Sequence, residues 1–281
     1  MKPVGRVRFG PSELPDAVGF DAAVKALTVS GYTAVEIGFV GGFWLDYDTA
    51  PRLAEALRAA DVTLSVHAPL AAFMGHVDRG KKFKMALGML DHTAGLAQQL
   101  GADVVVIHPG FLLGREREEA IEQVVAHLGE IGGRLEAKGR LVPFGVEVMG
   151  RVRELGTLDD VLEIASRVDF VRPVLDFAHM HATSDGAYTD VESFASALEA
   201  ADEVMEPDAP FHIHFSDIAY ANRNETKHLP YGEGSLRVEP LRDALARFER
   251  PATVISESPD DASTQTIGAV LGGASAARRS S

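Results

Sequence analysis

The chain has 281 residues, 46% of them apolar and none of them cysteine. That length and apolar share suit one α/β core of barrel size, and the missing cysteines exclude disulfides and thiolate metal sites, so any metal must bind through His, Asp and Glu. A net charge of −14 argues against a non-specific nucleic-acid binder, no apolar run approaches the ~20 residues of a membrane span, and MKPVGRVRFG lacks the apolar stretch of a secretory signal, so a cytoplasmic setting is expected.

In chain order, β-rich runs begin near Val7, Ala34, Leu64, Val104, Phe144, Val174, Phe211 and Thr253. Segments with helical apolar spacing lie between them. Phe20, Val24 and Leu27 form the first stripe, with Gly31 as its C-terminal stop. Thr49 followed by Pro51 opens a second helix. Phe83, Leu87, Leu90 and Leu96 mark a long third one, and Thr157 with Asp160 reads as an N-cap. Strands alternating with helices imply parallel βαβ units, and eight of them predict an α/β fold closed into a (β/α)8 TIM barrel. An open doubly wound sheet is the runner-up, but no Gly-rich phosphate fingerprint follows the first strand. Residues 1–271 are expected to form this single domain, and the small, polar tail 272–281 is expected to be disordered.

The chemistry gathers where the β-runs end. LSVHAP carries His67, VVVIHPG carries His108 and FGVEVMG carries Glu147. PVLDFAHMHA supplies Asp176 and His179, FHIHFSD supplies His214, and TVISESP supplies Glu257, with His228 in the following KHLPYGEG segment. The C-terminal ends of parallel barrel strands converge on one face, where such enzymes keep their active sites. A lone His at a strand end is more often a hydrogen-bonded structural residue than a ligand. Five histidines beside three strand-end carboxylates are harder to explain that way, because buried carboxylates repel one another unless protons or cations intervene. His212 is read as barrel packing, His181 as a partner of a ligand, and His76, His92 and His127 as ordinary loop or helix residues. Cations also follow the strands, among them Arg79, Lys82, Arg151 and Lys227. They are either solubilising loop charges or a positive rim that receives phosphate.

Taken in order, HAP at 67–69, HPG at 108–110, Glu147, LDFAH at 175–179, HIHFSD at 212–217, His228 to Gly234 and SESP at 256–259 resemble the endonuclease IV family. That family belongs to the wider xylose-isomerase-like TIM-barrel superfamily. The resemblance implies a hydrolase with two or three Zn2+ ions, Mn2+ being an alternative. His67, His108 and Glu147 would hold the first, with Glu147 bridging to a second completed by Asp176, His214 and Glu257. His179 and His228 would hold the third. It further implies action on DNA containing abasic sites, in base-excision repair, with Glu147 catalytic; a monomer is expected, and on the positive-rim reading Arg79, Lys82, Arg151 and Lys227 are expected on the phosphates.

Three departures bear on this. Thr226 stands where the family has an Asp ligand, with Glu225 beside it. Leu70 replaces the aromatic residue that follows HAP, and VGGFWLD keeps Trp44 but carries no arginine. The alternative in the same superfamily is a sugar isomerase or epimerase with one metal on Glu147, Asp176, His214 and Glu257, acting on a small sugar. It leaves the other four histidines without a role. A binding module without activity is a third reading, and the intact ligand set speaks against it.

Overall fold

The computed structural model describes residues 6–276. Eight parallel strands form one sheet: β1 (Val7–Pro11), β2 (Ala34–Gly38), β3 (Thr63–His67), β4 (Val105–Ile107), β5 (Phe144–Glu147), β6 (Val171–Asp176), β7 (Phe211–Phe215) and β8 (Ala252–Ser256). From β2 to β8 each strand pairs with the next in sequence, and β8 pairs back with β1. The ring closes between β1 and β2, where Thr33 N donates to Phe9 O at 2.8 Å and Phe9 N donates to Thr33 Oγ1 at 3.1 Å. Gly10 makes that approach feasible, since a Cβ there would overlap the Ala34 carbonyl oxygen. This is the expected TIM barrel. β6 starts at Val171, three residues before the expected Val174, because Pro173 reads as a strand boundary yet stays in register with Val146.

The helices are α1 (Phe20–Val29), α2 (Ala50–Ala59), α3 (Lys81–Leu100), α4 (Arg117–Ala137), α5 (Leu158–Arg167), α6 (Phe177–Thr183), α7 (Val191–Val204), α8 (Val238–Leu245) and α9 (Asp261–Ala276). Their apolar stripes, with Leu27, Leu53, Leu90, Val124 and Ile164 fully buried, face the outer side of the strands and make the main core. Gly31 takes the left-handed conformation (φ 78°) expected after α1. Thr157 and Asp160 form the expected capping box of α5. At α2 the start works differently: the Thr49 hydroxyl donates to Asp46 Oδ1 at 2.6 Å, so it does not cap the helix. Because α9 runs to Ala276, the start of the tail expected to be disordered is helical; residues 277–281, with Arg278 and Arg279, lie outside the described residues.

Inside the barrel, Val104, Val106 and Val174 form a small separate apolar cluster. Strand alternation puts Ser65 and His67, Val174 and Asp176, and His212 and His214 on the same inward face, the second of each pair lying nearer the strand's C-terminal end. The inner wall thus mixes valines with the polar Ser65 and His212 at depth and is polar at the strands' C-terminal ends. Among the described residues no helix is long and apolar enough to cross a membrane.

Candidate metal centre

His67, Glu147 and Asp176 are the last residues of β3, β5 and β6, while His108 and Glu257 lie one residue past β4 and β8. His214 sits in β7, His179 in the first turn of α6, and His228 on the strand Asn224–Leu229, which pairs antiparallel with Asp217–Ala221. The barrel brings all eight into one cluster. Glu147 is its hub: Oε2 lies 3.3 Å from His67 Nε2 and 3.0 Å from His108 Nε2, while Oε1 lies 3.2 Å from His214 Nδ1. The two oxygens thus face different partners, as a bridging carboxylate must. His214 Nδ1 is also 3.5 Å from Glu257 Oε1 and 4.0 Å from Asp176 Oδ2.

Three sets of donor atoms each converge to within 4.8 Å: His67, His108 and Glu147; Glu147, Asp176, His214 and Glu257; and His179, Glu225 and His228. Glu225 therefore fills the third set, and Thr226 does not. Glu225 Oε2 lies 2.8 Å from His179 Nε2. The backbone explains the exchange. In the 217–229 hairpin Ala219 pairs with Lys227 and Tyr220 pairs with Glu225, so Thr226 is an extra residue in a β-bulge. One inserted residue reverses strand alternation and turns Glu225 onto the face of His228. The Thr226 hydroxyl donates instead to Ala219 O at 2.9 Å. Gly150 provides the room, because a Cβ there would come within 2.7 Å of both the Glu225 carboxylate and the His179 ring.

Ring orientation is fixed from behind. His67 Nδ1 donates to Ala68 O and His179 Nδ1 to Val148 O, each at 2.9 Å, which leaves both Nε2 atoms facing the cluster. His228 Nδ1 and Ser216 Oγ are hydrogen bonded at 2.5 Å. His214 points Nε2 the other way, to Glu36 on β2, and His212 Nε2 meets the same carboxylate at 3.1 Å. His212 is thus a hydrogen-bonding residue inside the barrel and not simple packing. Sequence reasoning missed Glu36 and Ser216; the signal for Glu36 was a charged residue in the middle of an apolar strand, AVEIG. His181 was expected to support a ligand, but its Nε2 pairs with Ser235 Oγ at 2.8 Å.

The buried carboxylates and imidazoles of the cluster perturb one another strongly. Burial, reinforced by Glu257 and Glu147, pushes the Asp176 carboxyl well above its ordinary range. Its Oδ1 accepts from His179 N at 2.8 Å and caps α6, whereas Oδ2 is buried without a hydrogen-bond partner. His179 Nδ1 lies 3.3 Å from Oδ2, but that nitrogen is aimed at Val148 O, so the distance is proximity alone. Burial would lower His67, yet its hydrogen bond to Glu147 and that group's charge raise it to about 9. His179 and His214 are likewise raised well above the usual imidazole value, burial being outweighed chiefly by Asp176 for the first and Glu36 for the second. Burial would raise Glu147, but His214 and His108 hold it well below. Converging imidazoles and carboxylates, with Asp176 Oδ2 buried and unpartnered among them, suit a divalent metal.

The cluster forms the floor of a cavity of about 370 Å3, near the small end of ligand pockets, roughly 300–1,000 Å3. Val40, Leu70, Phe73, Phe111 and Met149 make an apolar wall. Among the described residues that line it, Arg151 is the one Lys or Arg, and it is paired with Glu225 at 3.0 Å and Glu154 at 3.7 Å. The expected positive rim is otherwise absent from the cavity. Arg79 is held by Glu130 on α4 at 2.5 Å, and Lys82 and Lys227 are exposed outside the lining. Lys82 sits at an exposed position of α3, and Lys227 alternates with His228 on the hairpin strand and so faces the opposite side.

Residues 24–277 match the family described as xylose isomerase-like TIM barrel. An uncharacterized protein of Methanocaldococcus jannaschii is 30% identical over 254 residues, 89% of this chain and 91% of its own. A protein of Oceanobacillus iheyensis named probable endonuclease 4 is 27% identical over 190 residues, and the match spans 64% of this chain and only 60% of that relative. Among solved structures, endonuclease IV from Thermus thermophilus superposes with a TM-score of 0.72 at 20% identity, covering 95% of this chain and 98% of that one. A D-tagatose 3-epimerase-like protein superposes with a TM-score of 0.74, also at 20% identity, covering 95% and 96%. At that identity both structures speak for the fold alone.

Proposed function

Since the chain belongs to the xylose isomerase-like TIM-barrel family, we propose that it is a multinuclear metal hydrolase of the endonuclease IV kind, cutting DNA on the 5′ side of abasic sites with Zn2+, or Mn2+ in its place. The observation that carries this reading is the third donor set, His179, Glu225 and His228. A one-metal sugar enzyme needs only Glu147, Asp176, His214 and Glu257. Charge supports it as well. The three sets hold four carboxylates, Glu147, Asp176, Glu225 and Glu257, which two divalent cations neutralise. A third cation leaves positive charge that an anionic phosphodiester completes.

Such cations supply Lewis-acid polarisation and ready ionisation of water at neutral pH. His67, His108 and Glu147 would hold the first, Glu147 with Asp176, His214 and Glu257 the second, and His179, Glu225 and His228 the third. Glu147, its two oxygens facing different sets, orients the attacking water. Glu257, on the half-buried side of the floor, is placed to accept that water's proton. His228 and Glu225 stand beside Arg151 at the wall, where the departing 3′ oxygen and its neighbouring phosphate are held. Leu70 and Phe73 form the apolar surface against which an extrahelical sugar packs.

A second reading has one specific observation in its favour. Among the described residues that line the cavity, the single Lys or Arg is already paired and the wall is apolar, which suits a small neutral sugar better than a phosphate chain. One experiment separates the two: metal content per chain, followed by assay on an oligonucleotide with one abasic analogue and on free ketoses and aldoses. Two or three zinc ions with incision 5′ to the lesion support the hydrolase. One manganese with sugar turnover and no incision replaces it with the epimerase.

A further inference from the structure

Beneath the cluster Glu36 on β2, Ser65 on β3 and His212 on β7, which none of the three metal sets needs, form a buried polar group with the ligand His214 on β7, each no more than 5% exposed. Ser65 Oγ donates to Glu36 Oε2 at 2.7 Å. His212 Nε2 lies 3.1 Å from the same oxygen, and His214 Nε2 lies 3.2 Å from Oε1. An ionised carboxylate only accepts, so every nitrogen facing it carries a proton. His214 must therefore be protonated on Nε2, which commits Nδ1, 3.2 Å from Glu147 and 3.5 Å from Glu257, to the cluster side.

Glu36, His212 and His214 also converge closely enough to hold a cation of their own. That would require His214 to give up both ring protons and serve two sites at once. Hydrogen bonding accounts for each observed contact without those costs. We infer that Glu36 is a positioning residue, anchored by Ser65 and His212, which fixes His214 as an Nδ1 donor to the set formed by Glu147, Asp176 and Glu257. The inference rests on the metal-centre reading given above.

The direct test uses the zinc-loaded wild-type protein with 15N-labelled histidine. Two-bond hydrogen–nitrogen correlations are expected to show His214 protonated at Nε2, with Nδ1 shifted by the metal. Competition against a chromophoric chelator then compares variants. Glu36→Gln, which offers its amide nitrogen to one of the rings, is expected to weaken one metal equivalent by roughly 10- to 100-fold while leaving the others in place. Ser65→Ala should show a smaller loss in the same equivalent. Melting of the metal-free variants separates this from unfolding, and if Glu36→Gln does not fold, Ser65→Ala and the wild-type tautomer decide. A His214 protonated at Nδ1, or a folded Glu36→Gln with unchanged zinc affinity, overturns the positioning role alone. A wild-type protein that takes up no divalent metal overturns the underlying reading and this inference with it.

Discussion

Glu147 concentrates the most consequence in one side chain, because its two oxygens face separate donor sets. Glu147→Gln keeps the shape but removes one anionic oxygen. It is expected to lower kcat/KM at least about 100-fold and to cost more than His67→Ala or His108→Ala, each of which touches a single set. Steady-state kinetics alongside metal analysis measures this, and near-normal turnover with metal retained removes the bridging role. Glu225 gives a second residue-scale expectation. Glu225→Ala should reduce metal content by one equivalent, and adding Thr226→Asp should not restore it. The bulged Thr226 side chain turns toward Ala219, so an Asp there points off the His228 face. Recovery of the lost equivalent by the double variant would show that the bulge does not set the ligand.

At the scale of elements, the segment after His228 depends on a single buried carboxylate. Asp217 accepts from Gly232 N at 3.1 Å, Gly234 N at 2.8 Å, Leu236 N at 3.2 Å and Arg237 Nη1 at 3.2 Å. It thereby ties the strand Asp217–Ala221, whose antiparallel mate carries His228, to the entry of α8. Asp217→Ala leaves those donors unpaired, and each buried unsatisfied group costs about 1–3 kcal/mol. Since water will reach the more exposed glycine amides, a net loss of about 3 kcal/mol in urea unfolding is expected. A loss below about 1 kcal/mol would mean that the loop is held by its other contacts. The motif HFSD is thus half chemistry and half scaffold: His214 faces the metal set and Asp217 organises the loop.

Over the whole molecule the protons of the metal-free cluster set a pH dependence. His67 is raised from 6.5 in the unfolded chain to about 9 in the fold by Glu147, so its contribution is complete below pH 6.5 and lost as pH rises through about 9. His179 and His214 are raised too and act with the same sign. Metal-free protein in chelator should therefore melt at a lower temperature at pH 9 than at pH 6.5. Zinc-loaded protein should not follow this trend, because cations then replace the protons. A flat chelator profile across that window would contradict the coupling. Substrate size supplies the other test at this scale. Lys82 and Lys227 are exposed outside the cavity and can meet only a substrate that extends beyond it. Their alanine variants are expected to weaken duplex binding and reduce its salt-dependence slope by close to one unit per contact, with no effect on a small phosphodiester. An equal effect on both substrates would place these lysines in some other role.

The sequence by itself determined the barrel and which strand ends carry the candidate donors. Alternating β-runs and helical stripes are local periodicities, and a ligand at a strand's end inherits its place from the fold, so His67, His108, Glu147, Asp176, His214 and Glu257 were legible in order. Three things waited for the tertiary structure. Thr226 and Glu225 could not be told apart, because an inserted residue reverses strand alternation and the bulge arises from pairing with a distant strand. Glu36 was silent, because its partners Ser65, His212 and His214 lie 29, 176 and 178 residues away and meet it only inside the closed barrel. The basic rim read from Arg79, Lys82, Arg151 and Lys227 thinned to Arg151, since Arg79 turns to Glu130 while Lys82 on α3 and Lys227 on the hairpin strand are exposed outside the cavity. Sequence order fixes which strand end a residue occupies; which way its side chain turns is decided by packing and pairing across the barrel.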